Sequence, residues 1–291
     1  MNEFSMFLGF FQKAIKKTVT TPLALLFAIL MTLSSVEYLL LFLGEGNALQ
    51  TGTVDVATII KNRPSFFLLI PLIIGLATFF KTSLILSLKE KKAELLPVLK
   101  RAARSLWKLS LLEVGALLLF FIMLLVLLTP GFLTSGNPLL SKNLVFLGLA
   151  IFIPISIVIV FIEIYAFFFI TLSQTSLRAG VELGYSLFMK RAATSIVFGI
   201  LSLLLFIPFF FLIALLRDAL TNEAGQFSRM TTIVSNFPFL LLQAGFLIIQ
   251  KSAWLSFFHF IATPKEPEAV ATDQALQKNE NVVQKEVPET I

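Results

Sequence analysis

The chain has no cysteine and a single histidine, His259. Without cysteine there is no disulfide framework, no thiol nucleophile and no thiolate metal site, and the redox compartment stays unread. One histidine cannot build a metal cluster or a histidine relay. His259 stands among Phe257, Phe258 and Phe260 and reads as an aromatic-like residue near the end of an apolar helix. Catalytic signatures are missing too: there is no P-loop, no Gly-rich dinucleotide fingerprint and no G-x-S-x-G elbow. The carboxylates Glu45, Asp55, Asp218 and Glu223 are scattered over loops. No catalytic, cofactor-binding or metal-ligating residue is expected, and the chain reads as non-enzymatic.

Charge is the third scarcity. Asp, Glu, Lys and Arg make up 14% of the residues and the mean hydropathy is +0.91, which excludes an ordinary soluble domain. What is there instead is a series of predominantly apolar stretches, each with at most one charge, long enough to cross about 30 Å of hydrocarbon as helices. Six segments qualify: 22–43, 65–88, 109–129, 144–172, 194–216 and 237–262. The first is too long for the apolar region of a cleavable signal. The second and sixth are interrupted by Lys81 and Lys251. Between the spans, Gly44-Glu45-Gly46-Asn47, Pro130-Gly131 and Gly136-Asn137-Pro138 read as breaker clusters in short outer loops. The polar tail 263–291 reads as disordered and cytoplasmic, beside a six-helix domain over 1–262.

The cations are placed unevenly. Sixteen Lys and Arg residues fall on the side of the N-terminus, 89–108, 173–193 and the tail, against five in 44–64, 130–143 and 217–236. By the positive-inside rule the first side is cytoplasmic, which predicts an inner-membrane protein with both termini in the cytoplasm. Residues 88–108 alone hold seven of the 23 cations. On a helix with Lys100 at 0°, Arg104, Lys108 and Arg101 fall at about 40°, 80° and 100°, while Val98, Ala102, Leu106, Leu99, Ala103 and Trp107 spread over about 160–340°. This is a basic amphipathic collar, expected in the interface with its apolar face in the acyl boundary and its cations on anionic headgroups. It either enforces topology or recognises lipid or a cytoplasmic protein partner; the net charge of +6 lies beside membrane spans, so nucleic acid is not expected.

Pro71, Pro154 and Pro238 are spaced by 83 and 84 residues, and Lys81, Glu163 and Lys251 by 82 and 88. A basic segment precedes each pair of spans: Lys13/Lys16/Lys17, then Lys100–Lys108, then Lys190/Arg191. The fold expected is all-α and polytopic, with six transmembrane helices as three helical hairpins, each behind a basic juxtamembrane segment. The stretch 176–191, SLRAGVELGYSLFMKR, with the apolar helix after it, resembles poorly characterised prokaryotic six-span membrane proteins. It is similar in style to the membrane domain attached to some glycerophosphodiester phosphodiesterases. The resemblance implies a six-helix membrane domain; the phosphodiesterase catalytic domain is not in the chain, so that activity is not implied. Gly180 and Gly184 in this stretch read as loop glycines before the fifth span, with close approach of a second helix as the alternative.

Charges within spans are expensive and usually face a partner. Glu37 falls in the outer half of the first span, while Lys81, Glu113, Glu163 and Lys251 fall in the cytoplasmic halves of theirs. Two cations and two anions can neutralise one another. They read either as ion pairs that set helix registry or as the site of a transporter for a small polar solute, ion or lipid.

Overall fold

The structure, a computed structural model, describes residues 3–34, 66–90, 93–134, 136–223 and 229–263. Among these residues the chain is all-helical, with seven helices and no strand. They are α1 (Glu3–Thr20), α2 (Pro22–Leu33), α3 (Phe66–Lys89), α4 (Leu95–Leu133), α5 (Pro138–Ser173), α6 (Leu177–Glu223) and α7 (Arg229–Ala262). Five, α3 to α7, are long and apolar enough to cross a membrane, and α2 is a shorter apolar helix. The chain is a multi-pass membrane protein. Hydrocarbon offers no hydrogen bonds to a backbone, so a helix, which satisfies its own amides, is the natural solution for such segments. The expected first span is described only to residue 34. Glu37, Glu45, Asp55, Lys16 and Lys17 side chains and the tail 264–291 lie outside what is described.

The helices run further than the apolar segments predicted. α4, α5, α6 and α7 contain 39, 36, 47 and 34 residues. At 1.5 Å per residue these reach about 50–70 Å, well past the hydrocarbon. The reading of Pro130-Gly131 as a loop is overturned, because α4 continues through both to Leu133. Gly131 is buried where a Cβ would come within 2.5 Å of the Val145 side chain, so its lack of one lets α5 close in. Its carbonyl accepts from Ser141 Oγ at 2.7 Å, and Thr134 Oγ1 donates to Pro130 O at 3.0 Å. α5 then starts at once: Pro138 opens it and the Asn137 side chain accepts from Leu140 N at 3.2 Å. The predicted outer loop 217–236 shrinks likewise, as α6 reaches Glu223 and absorbs Asp218.

The three basic segments meet their spans in three ways. α1 is a separate helix, broken from α2 at Thr21 (φ −127°, ψ 83°), a residue that Pro22 keeps out of the helical region. Residues 95–108 are continuous with the span in α4, since nothing between Lys108 and Leu109 breaks a helix. In α6 the join is a kink at Arg191 (φ −131°, ψ 27°), where Ser195 Oγ donates to the Arg191 carbonyl at 2.8 Å and receives the Tyr165 hydroxyl at 2.5 Å.

α5 packs between α4 and α6, α3 between α2 and α4, and α7 against α1 and α2. Half of the apolar window of α7 is buried against 6% for α4, so α7 is central and α4 peripheral. α1 lays Phe7, Phe10, Phe11 and Ala14, a stripe at helical spacing, against Phe198 and Phe206 of α6 and Phe257 and Phe260 of α7. The α5–α6 seam is built on glycine. Gly180 and Gly184 are not loop residues; both are buried in α6. A Cβ on Gly180 would lie 2.6 Å from Ile170, and one on Gly184 2.8 Å from the Ile162 carbonyl and 2.9 Å from Ala166 N. The second contact is with backbone, which cannot rotate away.

Gly184→Ala is expected to lower the melting temperature in detergent, at an overpacking penalty of about 1–3 kcal/mol. Gly115→Ala, on an open face of α4 with nothing within 4 Å of the new Cβ, should leave it unchanged or raise it. Equal melting temperatures for G184A and wild type would contradict the seam.

Candidate functional site

Lys81 of α3 is the hub of the intramembrane charges. Its Nζ pairs with Glu113 Oε1 of α4 at 2.7 Å, and it sits 4.2 Å from the centre of the Phe167 ring of α5. Thr78, one turn before Lys81, donates its hydroxyl to the other Glu113 oxygen. The two ionic side chains are 22% and 16% exposed, so the pair is shielded but not sealed. A carboxylate with two donors and an ammonium over an aromatic face are both well compensated. Glu163, which the 82-residue spacing aligns with Lys81, does not pair with it; Glu113 does, because it faces α3 across the α3–α4 packing.

Glu163 and Lys251 are arranged differently. Each is close enough to the other and to the Lys81–Glu113 pair for mutual electrostatic influence, yet neither forms an ion pair among the described residues. Glu163 lines an apolar cavity of about 390 Å³ between α4, α5 and α6, with Leu112, Gly115 and Ile159. Lys251 faces a second cavity, of about 500 Å³, between α3, α5, α6 and α7. Lys81, Gln250, Ser156 and Ser202 share that cavity, and its remaining wall is apolar, including Phe161, Phe167 and Trp254. Ser156 Oγ is buried and has no hydrogen-bond partner among the described residues. So the four predicted charges do gather in one region, but as one tight pair and two separated singles. Thr78, Phe167, Gln250, Ser156 and Ser202 were missed by the sequence reading. Only Thr78 carried a signal, its place three residues before Lys81 on the same helical face.

The collar divides. Arg101 pairs with Glu90, and Lys108 Nζ donates to the Thr175 carbonyl at 3.1 Å. Lys89 Nζ reaches the Leu172 carbonyl at 3.5 Å, and Gln174 Nε2 donates to Ser105 Oγ at 3.1 Å. Lys89 thus meets a C-terminal carbonyl of α5, and Lys108 a carbonyl of the turn just after it, where Gln174 takes a left-handed φ of 55° and ends the helix. Lys100 and Arg104 are exposed and make no hydrogen bond or ion pair among the described residues. The apolar arc expected in the acyl boundary is also split. Val98 and Ala102 join the protein core, together with Leu109, while Leu96, Ala103 and Trp107 are exposed, Trp107 at 73%. The reason is angular: Arg101 and Lys108, at about 80–100°, border the buried stripe at about 140–200°, whereas Lys100 and Arg104 border the exposed apolar residues. His259 is exposed at the end of α7 with its ring 6.0 Å from Phe258. Among the described residues no group of His, Asp and Glu could hold a metal ion.

Comparison with protein-family models, with curated proteins and with solved structures finds no match to this chain. The likeness of residues 176–191 to six-span prokaryotic membrane proteins therefore rests on those residues alone.

A double-mutant cycle tests the hub. Lys81→Met and Glu113→Gln should each destabilise the protein in detergent, and the double variant should recover about 0.5–3 kcal/mol of the summed loss. The same cycle with Glu163→Gln in place of E113Q should show a smaller coupling. Equal couplings would mean that Lys81 has two equivalent partners.

Proposed function

We propose that the chain is a six-span, non-enzymatic inner-membrane protein with cytoplasmic termini, whose basic cytoplasmic end contacts anionic lipid headgroups. One observation carries this reading: Lys100 and Arg104 stand exposed beside Trp107, while Arg101 and Lys108 are spent on contacts within the protein. Two free cations next to an exposed indole, one turn from the start of an apolar span, match the interface of a membrane leaflet rich in anionic lipid. A cytoplasmic protein with an acidic face would use the same two cations. Transport of a small polar solute, ion or lipid is the second reading, favoured by the cavity that Lys81 and Lys251 share.

Because the natural chain has no cysteine, single cysteines report topology without background. Lys100→Cys and Lys190→Cys should react with an impermeant maleimide only after permeabilisation, and Gly136→Cys in intact cells. Labelling of G136C and K100C from the same side would rule out the scheme. For the headgroup contact, Trp254→Phe leaves Trp107 as the sole tryptophan of the full chain. Its emission should be quenched more by brominated phosphatidylglycerol than by brominated phosphatidylcholine. With about 1 kcal/mol for each cation, K100Q/R104Q should reduce the preference by roughly thirtyfold, and salt should weaken it. Equal quenching by the two lipids in the W254F protein would leave the collar as a topology signal only.

A further inference from the structure

We infer that the cavity between α3, α5, α6 and α7 binds an anionic amphiphile, its charged head at Lys251 and one acyl chain along the apolar wall. The charge balance is the first ground. Lys81 is already neutralised by Glu113, and Glu163, the anion that would complete the set, lines the separate cavity between α4, α5 and α6. Lys251 is thus left facing an apolar space with no ion-pair partner among the described residues. An unpaired ammonium at this depth is unfavourable, and an anion entering the cavity relieves it.

The second ground is the polar groups beside that lysine. Gln250, Ser202 and Ser156 line the same space, and the buried Ser156 hydroxyl lacks a partner. A carboxylate or phosphate oxygen accepts from ammonium, amide and hydroxyl alike. The third ground is shape. The cavity holds about 500 Å³, within the range of ligand pockets. Ile153, Ile157, Ile200 and Leu203, which line it, are exposed, so it opens sideways, where hydrocarbon chains would be, rather than only along the helix axes.

The fourth ground is polarity. The end of α5 near Ser173 is the end that Lys89 caps and whose following turn Lys108 holds, so it lies on the basic side. Ile85 and Phe168 line the cavity on the basic side of Lys81 and Phe167, and Ile153 lies about 22 Å from Phe168 along α5 at 1.5 Å per residue. Head near the basic side and chain toward mid-bilayer is the orientation of a lipid in that leaflet. A small inorganic ion would leave most of this wall unused, and a zwitterionic lipid would bring its own cation to Lys251.

The inference does not depend on the collar, and the test separates them. The full-length protein in non-ionic detergent is titrated with dioleoylphosphatidylglycerol, with dioleoylphosphatidylcholine and with oleate, and bound equivalents are counted by native mass spectrometry. One equivalent of the phosphatidylglycerol or of oleate should bind at least about tenfold tighter than the phosphatidylcholine; the tighter of the two identifies the source of the anion. Lys251→Gln should abolish that preference and Lys251→Arg should keep it. Ser156→Leu fills the cavity without touching a charge; it should block the equivalent while keeping or raising the melting temperature, which makes it the decisive variant if K251Q does not fold. K100Q/R104Q should leave this equivalent in place. Equal binding of all three ligands, unchanged binding in both K251Q and S156L, or loss in K100Q/R104Q would each overturn the inference.

Discussion

An ammonium group inside an apolar bundle has to be compensated, and the way Lys81 is compensated organises much of this protein. Lys81 stands on α3, a helix that packs between α2 and α4, and reaches Glu113 on α4 and the Phe167 ring on α5. One side chain therefore links three consecutive helices. Removing the charge would be tolerable on each helix alone; what it holds is their relative depth and rotation. Thr78 adds a second donor to the same carboxylate, so Glu113 is fixed from α3 at two points. A pair of this kind contributes specificity of registry more than net stability, since desolvation offsets much of its attraction.

Close helix approach is the complementary device. On the basic side, α5 and α6 meet through Gly180, which lies against the Ile170 side chain, and Gly184, where backbone lies almost on backbone. At Gly199 the ring of Phe161 already fills the gap, with only 2.7 Å to spare for a Cβ. Beyond it the two helices are lined by Ser156, Ser202 and branched aliphatic residues that do not fill the space between them, and the cavity begins. A tight seam and an open pocket thus lie along one helix pair. Small residues decide where the helices touch, and the absence of large ones facing each other decides where they part.

The basic end shows the same division between inside and outside use. Lys89 turns toward the Leu172 carbonyl that α5 leaves free at its C-terminus, where the helix dipole favours cations, and Lys108 toward the Thr175 carbonyl just beyond that end. Arg101 is held by Glu90. What faces outward is the remainder, Lys100 and Arg104 with Trp107. A cluster that looks uniform in composition is therefore partly structural and partly available.

The helical class and the multi-pass character were determined by the sequence alone. Length, apolarity and scarcity of charge leave a backbone in hydrocarbon almost no choice but the helix. Periodicity also placed Lys100, Arg101, Arg104 and Lys108 on one arc, because that is a property of a single helix. Only the tertiary structure decided that Lys81 pairs with Glu113 rather than Glu163, that Gly180 and Gly184 are contact points, that Pro130 and Gly131 stay helical, and that Arg101 and Lys108 bond inward. Each of these depends on which helix faces which, and at what rotation. That is set by the shapes of many small contacts, and no local pattern of residues encodes it.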